Sequence, residues 1–112
     1  MEITEAKERN IAIIAVNGNL DSHTSAAFEK VLLAKIEADE KFVLIDGTNL
    51  KYISSAGLRS IFKGVQKLSP KKGKLALCNL AASVREVFEI AGFTGVIAIS
   101  PDKETALRQL AK

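Results

Sequence analysis

The sequence is poor in the residues that cross-link a chain or carry chemistry: one cysteine, one histidine, two prolines and no tryptophan in 112 residues. A lone Cys78 rules out an intrachain disulfide, and its setting in KLALCNL marks a small apolar residue on or beside a strand, not a redox thiol. One histidine and one cysteine, far apart, supply no metal-ligand cluster, so no metal is expected. Glycine-rich nucleotide loops are missing as well. Gly57 belongs to no Gly-x-Gly-x-x-Gly or Walker pattern, so no cofactor is expected and the chain should not hydrolyse ATP alone. Long apolar runs are also absent: IAIIAV and FVLI fall far short of the ~20 residues that cross a bilayer. The opening MEITEAKERN lacks the basic stretch, apolar stretch and cleavage site of a secretory signal. These absences argue against a membrane association and point to the cytoplasm.

What is present is the composition of an ordinary globular protein, 47% hydrophobic and 26% charged. A chain of this length fits one domain, residues 1–112, and should bury roughly 65% of the surface its unfolded form exposes. The net charge of +3 is concentrated in Lys63, Lys67, Lys71, Lys72 and Lys74. KGVQKLSPKKGK has no interleaved aromatics for base stacking, and lysines near a helix C-terminus complement its dipole, so the patch reads as a solvated face with no direct nucleic-acid partner.

Periodicity supplies the elements. NIAIIAVNG is rich in β-branched residues ahead of Asn17-Gly18-Asn19, a turn signal, and EITEAKE can pair with it as an edge. From Thr24 to about Glu37, Phe28, Val31, Leu32 and Ile36 recur at helical spacing, with Asp21, Ser22 and Thr24 available as caps. KFVLIDG reads as a covered strand. Leu58, Ile61, Phe62, Val65 and Leu68 then form an apolar helical stripe ended by Pro70 and Gly73. KLALCN is the next strand, followed by a helix with a Ser83/Glu86 capping box and a left-handed stop at Gly92. GVIAIS is the last strand, and Ser100 as cap with Pro101 at the first helical position opens a closing helix through Leu107 and Leu110. The alternation predicts an α/β fold: an open mixed, mostly parallel sheet of four to five strands with about four helices.

In such sheets, sites gather where loops leave the carboxyl ends of strands. Two loops there hold the suggestive polar residues, GNLDSHTS and DGTNLKYISS. Ser54 and Ser55 sit at the start of a helix, where backbone N–H groups lack intrahelical partners; either could be a simple N-cap, and a phosphate on Ser55 would also be well placed. The small Ala56 and Gly57 would leave the backbone close to whatever the serine carries, and Leu58 would anchor the helix start.

GNLDSHTS, then DGTNLKYISSAGLRSIF, then FEIAGF, in this order and spacing, resembles the anti-sigma factor antagonists of the STAS class, the sulphate transporter and anti-sigma antagonist domain. The resemblance implies a serine phosphorylated by a partner kinase. Anchored on Gly57-Leu58, that serine is Ser55, with Ala56 in the next position of the family's Asp-Ser-Ser/Thr-Gly-Leu motif. Ser54 replaces the family's aspartate and is a second candidate acceptor. Asp21 matches the aspartate of the family's Gly-x-Leu-Asp loop, and Asp46 closes the third strand where the family often carries Asp or Asn; both are expected beside the Ser55 helix start. The implied partner surface is Asp21, Thr24, Asp46, Ser54, Ser55, Ala56, Gly57 and Leu58.

The implied function is that of a binding module and kinase substrate. The unmodified protein would bind an anti-sigma factor serine kinase, which holds the ATP, and so free a sigma factor; phosphorylation of Ser55 would end the binding, and a phosphatase would reset it. A scaffold role in a larger signalling assembly is the alternative. An enzyme using Ser55, His23 and Asp21 or Asp46 is disfavoured because the Gly-x-Ser-x-Gly elbow is absent. No catalytic residue is assigned.

Overall fold

The computed structural model describes residues 1–95 and 97–111. Strand β1 (Glu2–Glu8) and strand β2 (Ile11–Leu20) form an antiparallel hairpin, registered from Glu2 opposite Asn17 to Glu8 opposite Ile11. The turn is Arg9-Asn10, both in the left-handed region at φ 54° and 64°, as a tight two-residue hairpin turn requires. The expected turn at Asn17-Gly18-Asn19 does not form. β2 runs straight through it, because Gly18, at φ 111°, lets the strand kink instead of reversing.

Strand β3 (Phe42–Asp46) lies parallel to β2, strand β5 (Lys74–Cys78) to β3, and strand β6 (Ala98–Ser100) to β5. Strand β4 (Leu50–Ile53) pairs parallel with the far end of β2, past the point where β3 has ended. Among the described residues the sheet therefore has six strands, in the order β1-β2-β3-β5-β6 with β4 beside β2. That is one more than expected, and the extra strand is β4. Of the final strand read as GVIAIS, Val96 lies outside the described residues.

Helices α1 (Ser25–Glu37), α2 (Ser55–Leu68) and α3 (Ala82–Ile90) cover one face of the sheet, where Phe28, Leu32, Leu58, Ile61, Val84 and Phe88 meet Ile14, Val16, Ile45 and Leu77 in the main core. The other face is covered by α4 (Lys103–Leu110), whose Ala106, Leu107 and Leu110 pack on Ile11, Ile13, Leu44, Ala76 and Cys78. Both faces of β3 and β5 are thus buried, which is why FVLI and LALC are continuous apolar runs instead of alternating ones.

Two helix starts depart from the expected caps. α3 begins after Ala81 with no side-chain cap, and Ser83 lies inside its first turn. Asp102 caps α4 by accepting from the Thr105 N–H at 2.7 Å, whereas Ser100 ends β6 and donates its hydroxyl to Gln109 Oε1 at 3.0 Å. After α2 a short 3-10 turn, Ser69–Lys71, contains Pro70 and leads to Lys72 at φ 59°, so the left-handed turn falls on a lysine just ahead of Gly73. Gly73 is needed for a different reason: a side chain there would run into the Lys41 carbonyl. Gly92, at φ 79°, closes α3 as expected. Part of the lysine patch is internally neutralised: Lys63 pairs with Glu29 at 3.0 Å, and Lys71 with Asp39 at 3.7 Å.

Candidate functional site

The site is built where β2 and β4 finish side by side. Gly18 lies opposite Leu50 and Asn19 opposite Tyr52, so Lys51 is an extra residue and the register is bulged. A bulge reverses the alternation of faces beyond it. Leu50 and Ile53 can therefore both point inward, while Asn19 and Tyr52 face solvent and Leu20 and Ile53 are buried as the next pair. The two strands deliver Asp21 and Ser54 to the same rim.

The Ser54 N–H donates to the Leu20 carbonyl at 2.9 Å, which ties the start of α2 to the end of β2. Ser54 is the N-cap: its backbone is extended, its carbonyl accepts from the Leu58 N–H at 3.0 Å, and its hydroxyl accepts from the Gly57 N–H at 3.4 Å. It is half-buried. Ser55, the first residue of α2, is exposed, and its hydroxyl meets no partner among the described residues. The first turn of α2 holds no acidic residue to offset the helix dipole. No described group accepts from the N–H of Ser55 or Ala56. The two serines, alike in sequence, are thus distinct in structure: one holds the helix and the other stands free.

Ala56 is half-buried beside them. Gly57 and Leu58, expected on the partner surface, are buried and face inward. A Cβ on Gly57 would lie 2.8 Å from the Leu20 carbonyl oxygen and 2.9 Å from Ile53 Cγ1. Its smallness therefore lets α2 approach β2 and β4, not a group carried by the serine. Leu58, 8% exposed, belongs to the main core.

Asp21 and Thr24 form a reciprocal cap on the turn leading into α1. The Asp21 N–H donates to Thr24 Oγ1 at 2.9 Å, while Asp21 Oδ1 accepts from the His23 N–H at 2.9 Å and the Thr24 N–H at 3.2 Å. Thr24 Oγ1 also donates to the Asn19 carbonyl at 2.8 Å. The His23 N–H, with help from Thr24, holds the Asp21 carboxyl below the usual carboxylate range. The loop is thereby a rigid, anionic neighbour of the serines, and His23 is exposed on it.

Asp46 is not part of this rim. It lies opposite Ala15 on β2, five residues before Leu20, or about 16 Å along the strand at ~3.3 Å per residue. Its Oδ1 accepts from the Thr48 N–H at 3.0 Å and the Thr48 hydroxyl at 2.6 Å, and Asn79 Nδ2 lies at 3.5 Å. It shapes the turn that starts β4, because the intervening strand carries the chain away before Ser54 is reached. The reading that placed it beside Ser55 missed β4. Tyr52, conversely, was not singled out from the sequence; an aromatic two residues before the serine pair was the available signal.

A parallel pair of strand ends, a capped loop and an exposed serine at a helix start, on an open mixed sheet with α4 behind it, define a STAS-type domain. The STAS domain family model matches residues 2–106, and the chain belongs to that family. It is 36% identical, over 95% of this chain and 91% of the relative, to the candidate anti-sigma factor antagonist BtrV of Bordetella bronchiseptica. A crystal structure of a candidate anti-sigma factor antagonist from Thermotoga maritima superposes with a TM-score of 0.93 at 15% identity, covering 98% of this chain and 95% of that one. The Bacillus cell fate determinant SpoIIAA in its phosphorylated form superposes with a TM-score of 0.75 at 18% identity, covering 96% and 98%.

Proposed function

We propose that this protein is an anti-sigma factor antagonist of one domain, working in the cytoplasm, that binds an anti-sigma factor serine kinase when Ser55 is free and releases it when Ser55 is phosphorylated. The observation that carries the proposal is the division of labour between the serines. Ser54 is engaged as the cap of α2, whereas Ser55 is exposed, without a hydroxyl partner among the described residues, and at the positive end of a 14-residue helix. A kinase can reach Ser55 without unfolding anything. The phosphate would be tolerated by the fold, since a helix N-terminus favours an anion.

The switch is then one of surface charge. Phosphorylation adds about −1.5 to −2 charges at neutral pH beside Asp21, already anionic. A partner surface shaped to a hydroxyl beside one carboxylate would have to take in a bulky dianion there, crowding two like charges into one desolvated interface at a cost of several kcal/mol. A hundredfold loss of affinity needs only about 2.8 kcal/mol. Asp46 is too far along β2 to share in this repulsion. The partner surface that fits is Asp21, Thr24, Ser54, Ser55 and Ala56, with Gly57 and Leu58 supporting it from below. ATP is held by the kinase, and a phosphatase resets Ser55.

The test is to identify the kinase retained by the bead-bound protein without ATP, prepare it recombinantly, and measure its affinity for wild type, Ser55→Ala and Ser55→Asp. Wild type and Ser55→Ala should bind alike, with Ser55→Asp weaker by tenfold or more. Equal binding of Ser55→Asp refutes the switch. Peptide mass spectrometry after incubation with kinase and ATP should find the phosphate on Ser55; its presence only on Ser54 would reassign the acceptor.

A further inference from the structure

Among the described residues, the large apolar side chains left exposed are Met1, Tyr52 and Ile90, at 41%, 53% and 79%. Tyr52 is the one at the serine rim. The bulge puts it there: with Lys51 looped out, Leu50 and Ile53 both turn inward, and Tyr52 is left facing water opposite Asn19. In a regular strand starting from a buried Leu50, residue 52 would point to the core and Ile53 to solvent. The fold thus spends an irregularity that buries Ile53 under Gly57 and presents an aromatic ring at the end of β4.

Successive residues of an extended strand point to opposite sides, so Tyr52 and the N-cap Ser54 project the same way from β4, about 7 Å apart at Cα. Asn19, across from Tyr52, accepts from the Thr24 hydroxyl through its carbonyl, so Tyr52 lies on β4 opposite the strand residue to which the Asp21–Thr24 turn is tied, two residues before the cap of α2. An exposed tyrosine of this kind is a typical interface anchor: it offers a large rigid contact area and one hydroxyl, at little conformational cost.

We propose that Tyr52 is the anchor by which the unphosphorylated protein docks to its serine kinase, seated in an apolar pocket of the kinase with an acceptor for the phenol hydroxyl. This rests on the function proposed above and adds to it the residue that supplies the affinity. Seating Tyr52 brings Ser55, three residues on, against the kinase, so the same contact holds the complex and presents the acceptor. A phosphate on Ser55 then lies at the rim of the pocket and prevents the ring from being desolvated.

Binding of the recombinant kinase to Tyr52→Ala, Tyr52→Phe, Ile90→Ala and Ser55→Asp tests this. Tyr52→Ala should weaken binding by about 30-fold or more, as loss of an anchoring tyrosine does. Tyr52→Phe should lose less than tenfold, and Ile90→Ala should match wild type. Matched thermal melts establish that Tyr52→Ala folds. A second measurement needs no substitution: Tyr52 is the only tyrosine of the chain, so incorporation of 3-fluorotyrosine yields one fluorine resonance. Its solvent isotope shift should vanish when unlabelled kinase is added and return on phosphorylation. A resonance that stays solvent-exposed in the complex, or wild-type affinity in Tyr52→Ala while Ser55→Asp is impaired, overturns the anchor and leaves the proposed function standing. Undiminished binding of Ser55→Asp would instead overturn the proposed function.

Discussion

Replacing Gly57 by alanine isolates the contact that positions the serine rim. The substitution adds one methyl group inside a helix, and on helix propensity alone it should stabilise the protein by about 0.5–1 kcal/mol. The tertiary structure opposes this. The new Cβ would stand 2.8 Å from the Leu20 carbonyl oxygen and 2.9 Å from Leu20 Cγ and Ile53 Cγ1. Two of these neighbours are buried side chains, and the first is backbone that also accepts from the Ser54 N–H. None can swing aside. Three contacts under 3.0 Å put the overpacking in the upper part of its usual range, about 2–3 kcal/mol, which leaves a net loss of about 1–2.5 kcal/mol. For 112 residues the unfolding entropy is about 0.24 kcal/mol/K, so Tm should fall by about 4–10 °C. Gly64→Ala is the comparison. Its Cβ would meet Leu32 Cδ2 at 2.6 Å, a terminal methyl and not backbone, and its loss should be smaller. Thermal melts and urea titrations of the variants and wild type decide the matter. A Gly57→Ala protein as stable as wild type, or more stable, would refute the close approach of α2 to β2 and with it the account of why this glycine precedes Leu58.

Ser54→Ala should cost about 1 kcal/mol through loss of the N-cap, roughly 4 °C in Tm, whereas Ser55→Ala should leave the melting curve unchanged because its hydroxyl has no partner among the described residues; equal effects would contradict the division between the two serines. The Asp102 carboxyl is held below its ordinary value first by the Thr105 N–H, and Asp21 likewise by the His23 N–H. Folded-state values below the unfolded 3.8 mean that this stability is present above about pH 4 and is lost as the pH falls below it, so Tm measured from pH 7 to pH 2 should drop in that range, and less steeply in Asp102→Asn, which keeps a cap but cannot titrate. Burial pushes the Cys78 thiol up to about 12, so a disulfide reagent at pH 8 should leave the native protein unmodified and react after denaturation. Rapid native labelling would contradict the packing of α4 over Cys78.

The failures of sequence reading trace to contacts between distant residues. The signal Asn17-Gly18-Asn19 is a sound local argument for a turn, but the partner strand that turns it into a bulged continuation, Leu50–Ile53, lies thirty residues on and has no periodicity of its own. Missing β4 then brought Asp46 too close to Ser55. Two helix starts also fall elsewhere. Ser83/Glu86 and Ser100-Pro101 are good start signals, yet the helices begin at Ala82, without a side-chain cap, and at Lys103, capped by Asp102. Gly57 was recognised as necessary, but its reason, the Leu20 carbonyl, belongs to another element.

What the chain determined by itself is whatever repeats along it: the apolar stripes of α1 and α2, the buried runs of β3 and β5, the mixed sheet they imply, and the ordered motifs that carry the family resemblance. Backbone geometry ties those patterns to one face or one strand, so they can be read locally. Only the tertiary structure decided which serine is held and which is free, that Asp21 shares their rim while Asp46 does not, and that Tyr52 faces outward. Each of these depends on where β2 ends relative to β4, and a strand's register is set by its partner, not by its own residues.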